Sequence, residues 1–137
     1  MTRQIYVNLP IGDLDSSVKF FSALGFGFNP QFTDKNATCM IVGEDSFVML
    51  LVKDFFSTFT PKEISDATKT TEVLLAVSCE SKDAVNEMVD KAIEAGGTET
   101  REPQDHGFMF ARSFNDLDGH IWEIMWMDES AMTEQTN

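Results

Sequence analysis

The chain has 137 residues, a formal net charge of −13 and a hydrophobic fraction of 42%, which suits one compact domain or two small fused modules with a real core. An excess of acidic groups excludes the phosphate backbone of nucleic acids, which binds through neutralising cations, and is repelled by an anionic membrane surface. No stretch approaches the roughly 20 apolar residues that cross a bilayer, and Met1-Thr2-Arg3-Gln4 runs into the first apolar segment without a secretion signal, so the expected location is the cytoplasm.

In chain order, Ile5, Val7, Leu9 and Ile11 alternate with Tyr6, Asn8 and Pro10. Period two marks a half-buried strand, with Pro10 suiting its edge or end. Asp13 to Ser17 is rich in N-cap residues, and Val18, Phe20, Phe21 and Leu24 then fit one face of a helix that Gly25 closes. Three short strands follow at 26–32, 37–42 and 47–52, separated by turn clusters at 33–36 and 43–46. Residues 53–69 hold Phe55, Phe56, Phe59 and Pro61 without a clear period and read as a linker with a short helical turn.

The pattern then restarts. Residues 72–77 are strand-like and Ser81 is an N-cap. A helix with Ala84, Val85, Met88, Val89, Ala92 and Ile93 on one face runs to Gly96-Gly97, and strands are expected at 98–102, 107–114 and 120–127. The order β-α-β-β-β thus occurs twice, with the strand–helix junctions about 66 residues apart, from Ile11 to Val77. The predicted fold is α+β: two βαβββ modules at 1–52 and 71–128, a linker at 53–70 and a polar tail at 129–137. A unit of one sheet and one helix gains most by pairing its sheet with that of its copy around a trough. Cys39 and Cys79 fall in expected strands without Cys-X-X-Cys or Cys/His spacing, so they read as small buried hydrophobes rather than zinc or redox ligands.

Two stretches resemble a known family. Leu9-Pro10-Ile11-Gly12-Asp13-Leu14 through Phe20-Phe21-Ser22-Ala23-Leu24-Gly25-Phe26 resembles the opening of vicinal oxygen chelate modules. Phe114-Asn115-Asp116-Leu117-Asp118-Gly119-His120-Ile121-Trp122-Glu123-Ile124 looks like their closing hairpin. With the module repeat, the resemblance to this glyoxalase/bleomycin-resistance/dioxygenase superfamily covers nearly the whole chain. It implies curved mixed sheets facing a central cavity, with helices outside. It also implies four inward side chains, from the first and last strands of each module, that bind a divalent metal in the catalytic members; other members bind and sequester drugs without one. A homodimer is a common assembly in the family, and the linker is long enough to permit exchange of modules between chains.

On this sequence the four ligand positions fall on Tyr6, Met49, Glu72 and Glu123. A hard cation wants carboxylates, imidazoles or carbonyls, so only Glu72 and Glu123 qualify as metal ligands. The expectation is no cofactor, with a divalent metal only if those two glutamates hold it. Glu72 also reads as a solvated strand-end carboxylate. Glu123, among Trp122, Ile124, Met125 and Trp126, lines the cavity or makes a structural ion pair, because a carboxylate in an apolar strand needs a partner. His106, beside Asp105 in the loop before the penultimate strand, is a catalytic candidate with Glu123, though an exposed loop histidine is the simpler reading. His120 follows the Asp118-Gly119 turn and reads as structural.

Arg101 and Arg112 are the last candidates; Arg112 shares a strand face with Phe110 and Phe114 and would anchor an anionic ligand group if that face is inward. Tyr6, Asn8, Met49 and Trp126 complete the expected ligand walls. The function expected is binding of a small organic molecule without the usual metal. The alternative is a metal-dependent lyase or isomerase, in which Glu72 or Glu123 removes a proton next to a carbonyl.

Overall fold

The computed structural model describes residues 3–130. It is α+β: the first unit follows the predicted order β-α-β-β-β, and the second follows it with one additional short strand. The chain divides into two compact units, residues 1–66 and 67–137.

In the first unit, β1 (Ile5–Ile11) leads to α1 (Leu14–Ala23), then β2 (Gly27–Asn29), β3 (Ala37–Ile41) and β4 (Ser46–Val52). The sheet order is β1-β4-β3-β2, with β1 parallel to β4 and the remaining pairs antiparallel. Asp13 caps α1, its carboxylate accepting the Ser16 N–H at 2.9 Å. The Ser16 hydroxyl, which donates to the same carboxylate, and after it this N–H hold the Asp13 carboxyl below the usual carboxylate range. Alternation decides the two faces. Leu9, Ile11, Met40, Val48 and Leu50 are buried on one side, with Phe20, Phe21 and Leu24 of α1 also in the core. Burying each such side chain contributes about 1.5–3 kcal/mol. Tyr6, Asn8, Cys39 and Met49 take the other side.

The strand expected at 26–32 ends early. Pro30 fixes its φ and has no N–H for a ladder, and the Asn29 side chain accepts the Gln31 N–H at 3.0 Å. The result is a 3-10 turn at Pro30–Phe32. After β4 the chain forms a short helix, α2 (Lys53–Phe56), and a 3-10 turn at Ser57–Phe59.

The second unit holds β5 (Leu74–Ser78), α3 (Lys82–Glu94), β6 (Thr98–Glu99), β7 (Gln104–Asp105), β8 (Met109–Asn115) and β9 (Ile121–Met127). The order is β5-β9-β8-β6, with β7 also pairing β8 and only β5–β9 parallel. Ser81 caps α3 through the Ala84 N–H at 3.0 Å, as its sequence position predicts. Val85, Val89 and Ala92 of α3, with Leu75, Phe114, Trp122 and Ile124 of the sheet, form the core. The Phe114 and Trp122 rings stack with centroids 6.3 Å apart.

Two boundaries differ from expectation. The strand foreseen at 98–102 is cut to two-residue β6, ending before Pro103, which cannot donate to a ladder, and a further two-residue strand, β7, forms at Gln104–Asp105, beyond the foreseen bounds. The strand foreseen from residue 72 starts at Leu74. The N-caps Asp13 and Ser81 stand 68 residues apart, not about 66. The counterpart of Tyr6 is therefore Leu74, and Glu72 precedes the sheet.

The Asp116–His120 turn closes the last hairpin. Asp116 is buried. Its Oδ1 accepts the N–H groups of Asp118 and His120, each at 3.0 Å, and its Oδ2 accepts the Trp122 indole N–H at 3.0 Å. Burial raises the Asp116 pKa, and the nearby His120 charge and these donors only partly offset it. The sequence resemblance predicted the turn, but not that its aspartate pins the core tryptophan.

Candidate functional site on the open face of the second sheet

Hairpin register assigns every side chain of β8 and β9 to a face. Arg112 pairs with Ile124 and Phe110 with Trp126, and these face α3. Ser113 pairs with Glu123 and Ala111 with Met125, and these face away from α3. Ala76 of β5 stands beside Glu123 in the same row. The structure therefore does not bring Arg112 and Trp126 to the surface that carries Glu123.

Arg112 is taken up by the protein itself. It donates through Nε and Nη2 to Glu99, through Nη1 to Asp90 at 3.0 Å, and through Nη1 to Asn86 at 3.0 Å. Burial opposes its charge, but its hydrogen bonds to Glu99 and Asp90, with their negative charges, outweigh that and raise its pKa. Its side chain is 10% exposed, while those of Asp90 and Glu99 are 63% and 33% exposed. Removing a buried ion's partner can cost 3–5 kcal/mol, but these carboxylates can rehydrate. Arg112→Met is therefore expected to cost about 2 kcal/mol, read as a lower urea midpoint at unchanged slope. A midpoint within error of the wild type would contradict the tie it makes between α3 and β6. Trp126, half-buried, has the Lys82 ammonium 5.6 Å from its ring centroid.

Glu123 meets a different partner. Arg101, in the segment between β6 and β7, donates through Nη2 to both carboxylate oxygens, at 3.2 and 3.1 Å. The Glu123 side chain is 17% exposed and that of Arg101 49%. A half-exposed pair of this kind contributes at most about 1 kcal/mol to stability. Thr100 lies alongside, its N–H donating to the Ser113 carbonyl at 3.2 Å. The ladder from Thr98–Asn115 and Glu99–Phe114 continues through this bond, so Thr100 and Ser113 share the face of Glu123. Both hydroxyls are buried and lack a hydrogen-bond partner among the described residues. Met109, Met125, Met127 and Ile121, all half-buried, give the rest of the face an apolar, adaptable surface.

The other expected site residues are dispersed. Tyr6, Asn8 and Met49 share the face of the first sheet opposite α1. There the Tyr6 ring stacks on Phe47 at 4.8 Å and its hydroxyl donates to Gln4 at 3.1 Å. Glu72 is exposed and outside the strands. His106 is exposed in the turn between β7 and β8, its N–H donating to the Met109 carbonyl at 2.9 Å. The Asp105 carboxylate accepts from the Gly107 N–H at 3.0 Å and lies 3.6 Å from Lys82 Nζ. The Gly107 bond lowers its pKa against the opposing cost of desolvation, with Lys82 and His106 adding to the lowering.

The donor set does not fit the superfamily's metal. On the open sheet faces, the first strand of each unit offers Tyr6 and Asn8, or Leu74 and Ala76, and the last offers Met49 or Glu123. One carboxylate, already held by a guanidinium, does not make a first shell for a hard cation. Among the described residues, no three His, Cys, Asp or Glu side chains gather as a metal would require.

Sequence reasoning named Arg101 without a partner and missed Thr100 and Ser113. The signal was present: with Asn115 opposite Ile121 across the Asp118-Gly119 turn, Ser113 must face Glu123, and Arg112 must not.

A family model described as the Glyoxalase/Bleomycin resistance protein/Dioxygenase superfamily matches residues 3–124. The chain belongs to that superfamily. A hypothetical protein from S. aureus is 30% identical, with 92% of this chain and 95% of that one covered and a TM-score of 0.77. A glyoxalase/bleomycin resistance protein/dioxygenase family enzyme from Burkholderia phytofirmans shares the fold at 19% identity, covering 92% and 99%, with a TM-score of 0.76. A glyoxalase-related enzyme from Fulvimarina pelagi does so at 21% identity, covering 92% and 88%, with a TM-score of 0.75. No curated protein matches the chain. Among the described residues, no helix is long and apolar enough to cross a membrane.

Proposed function

We propose that this chain binds a small organic molecule without a metal ion, on the face of its second sheet that carries Glu123. One observation supports this above the rest: the carboxylate in the superfamily's ligand position is held by two hydrogen bonds from Arg101. One carboxylate so held, with the corresponding strand positions otherwise taken by Tyr6, Met49 and Leu74, is a poor first shell for a hard cation. What remains around it is a half-buried apolar surface of three methionines and Ile121 with a few polar groups set into it, the usual make-up of an organic ligand site. A lyase working through Glu72 and Glu123 has no comparable support, since Glu72 precedes β5 and is exposed.

Calorimetric titration of the full chain with Ni²⁺, Mn²⁺ and Zn²⁺ is expected to give no stoichiometric heat. A thermal-shift screen of planar aromatic and carbonyl compounds is expected to yield binders whose amide perturbations map to β5, β8 and β9. Tight one-to-one metal binding that disappears in Glu123→Gln would overturn the metal-independent reading. A screen with no binders would overturn the binding role.

A further inference from the structure

Four side chains on the open face of the second sheet form an arrangement that stability does not explain. Thr100, just past the end of β6, lies in one row with Ser113 of β8 and Glu123 of β9. To reach Glu123 from its place after Thr100, Arg101 has to cross over β8 beside Ser113. Its guanidinium satisfies both carboxylate oxygens. It leaves the Ser113 and Thr100 hydroxyls buried with no partner among the described residues. Ser113 is fully buried. A buried hydroxyl without a partner is destabilising, and two side by side call for an explanation. An arginine that only repaired an unpaired carboxylate would not account for them.

We propose that Glu123, Ser113 and Thr100 form a binding site for the head group of a small organic cation with several N–H donors, such as an amidinium, guanidinium or protonated amine on an apolar body. Arg101 is the chain's own guanidinium in that site, and the ligand displaces it. The inference rests on the metal-independent binding reading and gives that site its ligand class. Geometry supports the class, because both carboxylate oxygens already accept from one guanidinium nitrogen, and each hydroxyl oxygen has lone pairs to accept further N–H groups. Charge supports it too. Exchanging one cation for another leaves the site neutral, whereas an anion would meet Glu123 in a chain of net charge −13. The exchange is inexpensive, since a half-exposed arginine returns readily to water. Met125, Met109 and Ile121 on the same face then receive the apolar body.

The test uses benzamidine, with its neutral analogue benzamide and the anion benzoate, titrated into the ¹⁵N-labelled full chain. Benzamidine is expected to shift the amides of Ala76, Ser113 and Glu123, and neither analogue to do so. Arg101→Ala is expected to tighten benzamidine about tenfold by removing its competitor, and Glu123→Gln to abolish binding in a protein that keeps its amide dispersion. Arg101→Ala binding no better than wild type would overturn the displacement. Benzamide or benzoate shifting the same amides equally would overturn the cation class while leaving metal-independent binding standing. Silence from benzamidine in both wild type and Arg101→Ala would overturn the inference outright, whatever other compounds the binding screen yields.

Discussion

Asp116→Ala is expected to lower the unfolding free energy by about 3–4 kcal/mol, the sum of one buried hydrogen bond from Trp122 and two from the backbone N–H groups of Asp118 and His120. Trp122 is the largest fully buried side chain among the described residues, and its indole N–H would face an apolar interior. Asp116→Asn is a finer probe. Its amide oxygen can still accept the Asp118 and His120 N–H groups, but the NH₂ then confronts the Trp122 N–H, donor against donor. It should recover part of the loss and no more.

The pH dependence adds a sign. Because the folded-state pKa of Asp116 is raised, the native state holds a proton that the unfolded chain has released above about pH 4. This group's contribution to stability is full below that pH and is lost as pH rises through its folded value. Subtracting the pH–stability curve of Asp116→Ala from that of the wild type should give a difference that declines with rising pH across this window. A difference that grows would mean the three donors and His120, not desolvation, control the group, and a loss of unfolding free energy under about 1 kcal/mol would remove its structural role.

Gly119→Ala is the second large effect, with an expected loss of about 3 kcal/mol. Gly119 has φ +90°, which by itself costs an L-residue about 1–2 kcal/mol. A Cβ there would also lie 2.8 Å from the Thr68 nitrogen and 2.9 Å from the Ala67 carbonyl carbon and oxygen. These are backbone atoms, so relief requires the chain at 67–68 to move as a whole. Gly25 supplies the control. Its φ is +103°, yet a Cβ there meets nothing within 4 Å, so Gly25→Ala should lose only the conformational part, about 1–2 kcal/mol. Equal losses in the two variants, measured by urea denaturation, would show that the contact with residues 67–68 carries no weight.

The elements that were legible in the sequence are those written by local chemistry. Period two in Ile5–Ile11, the caps Asp13 and Ser81 and the Asp118-Gly119 turn each act over a few residues, and each stands where its pattern predicts. Proline was legible in kind but not in consequence: Pro30 lies inside a run whose composition favours strand and Pro103 directly after another, and the loss of their N–H groups from a ladder turns the first into a 3-10 turn and keeps the second from continuing into β7. The site was less legible because it depends on faces. Phe110, Arg112 and Phe114 were rightly grouped on one face, but whether that face met α3 or the open side required the register across the hairpin. A two-residue error in the repeat spacing likewise gave Glu72 a place that Leu74 holds. The Arg101–Glu123 pair joins residues 22 apart through a segment with no period at all, and no local pattern encodes it.

The break at Pro103 has a consequence beyond topology. It leaves the far side of the second sheet with two ladders of two residues each, interrupted by a residue that cannot donate. A neighbouring chain seeking to extend the sheet there would find no continuous row of free N–H and C=O groups to copy. That margin is therefore protected against edge-to-edge aggregation, without a covering helix or a row of lysines.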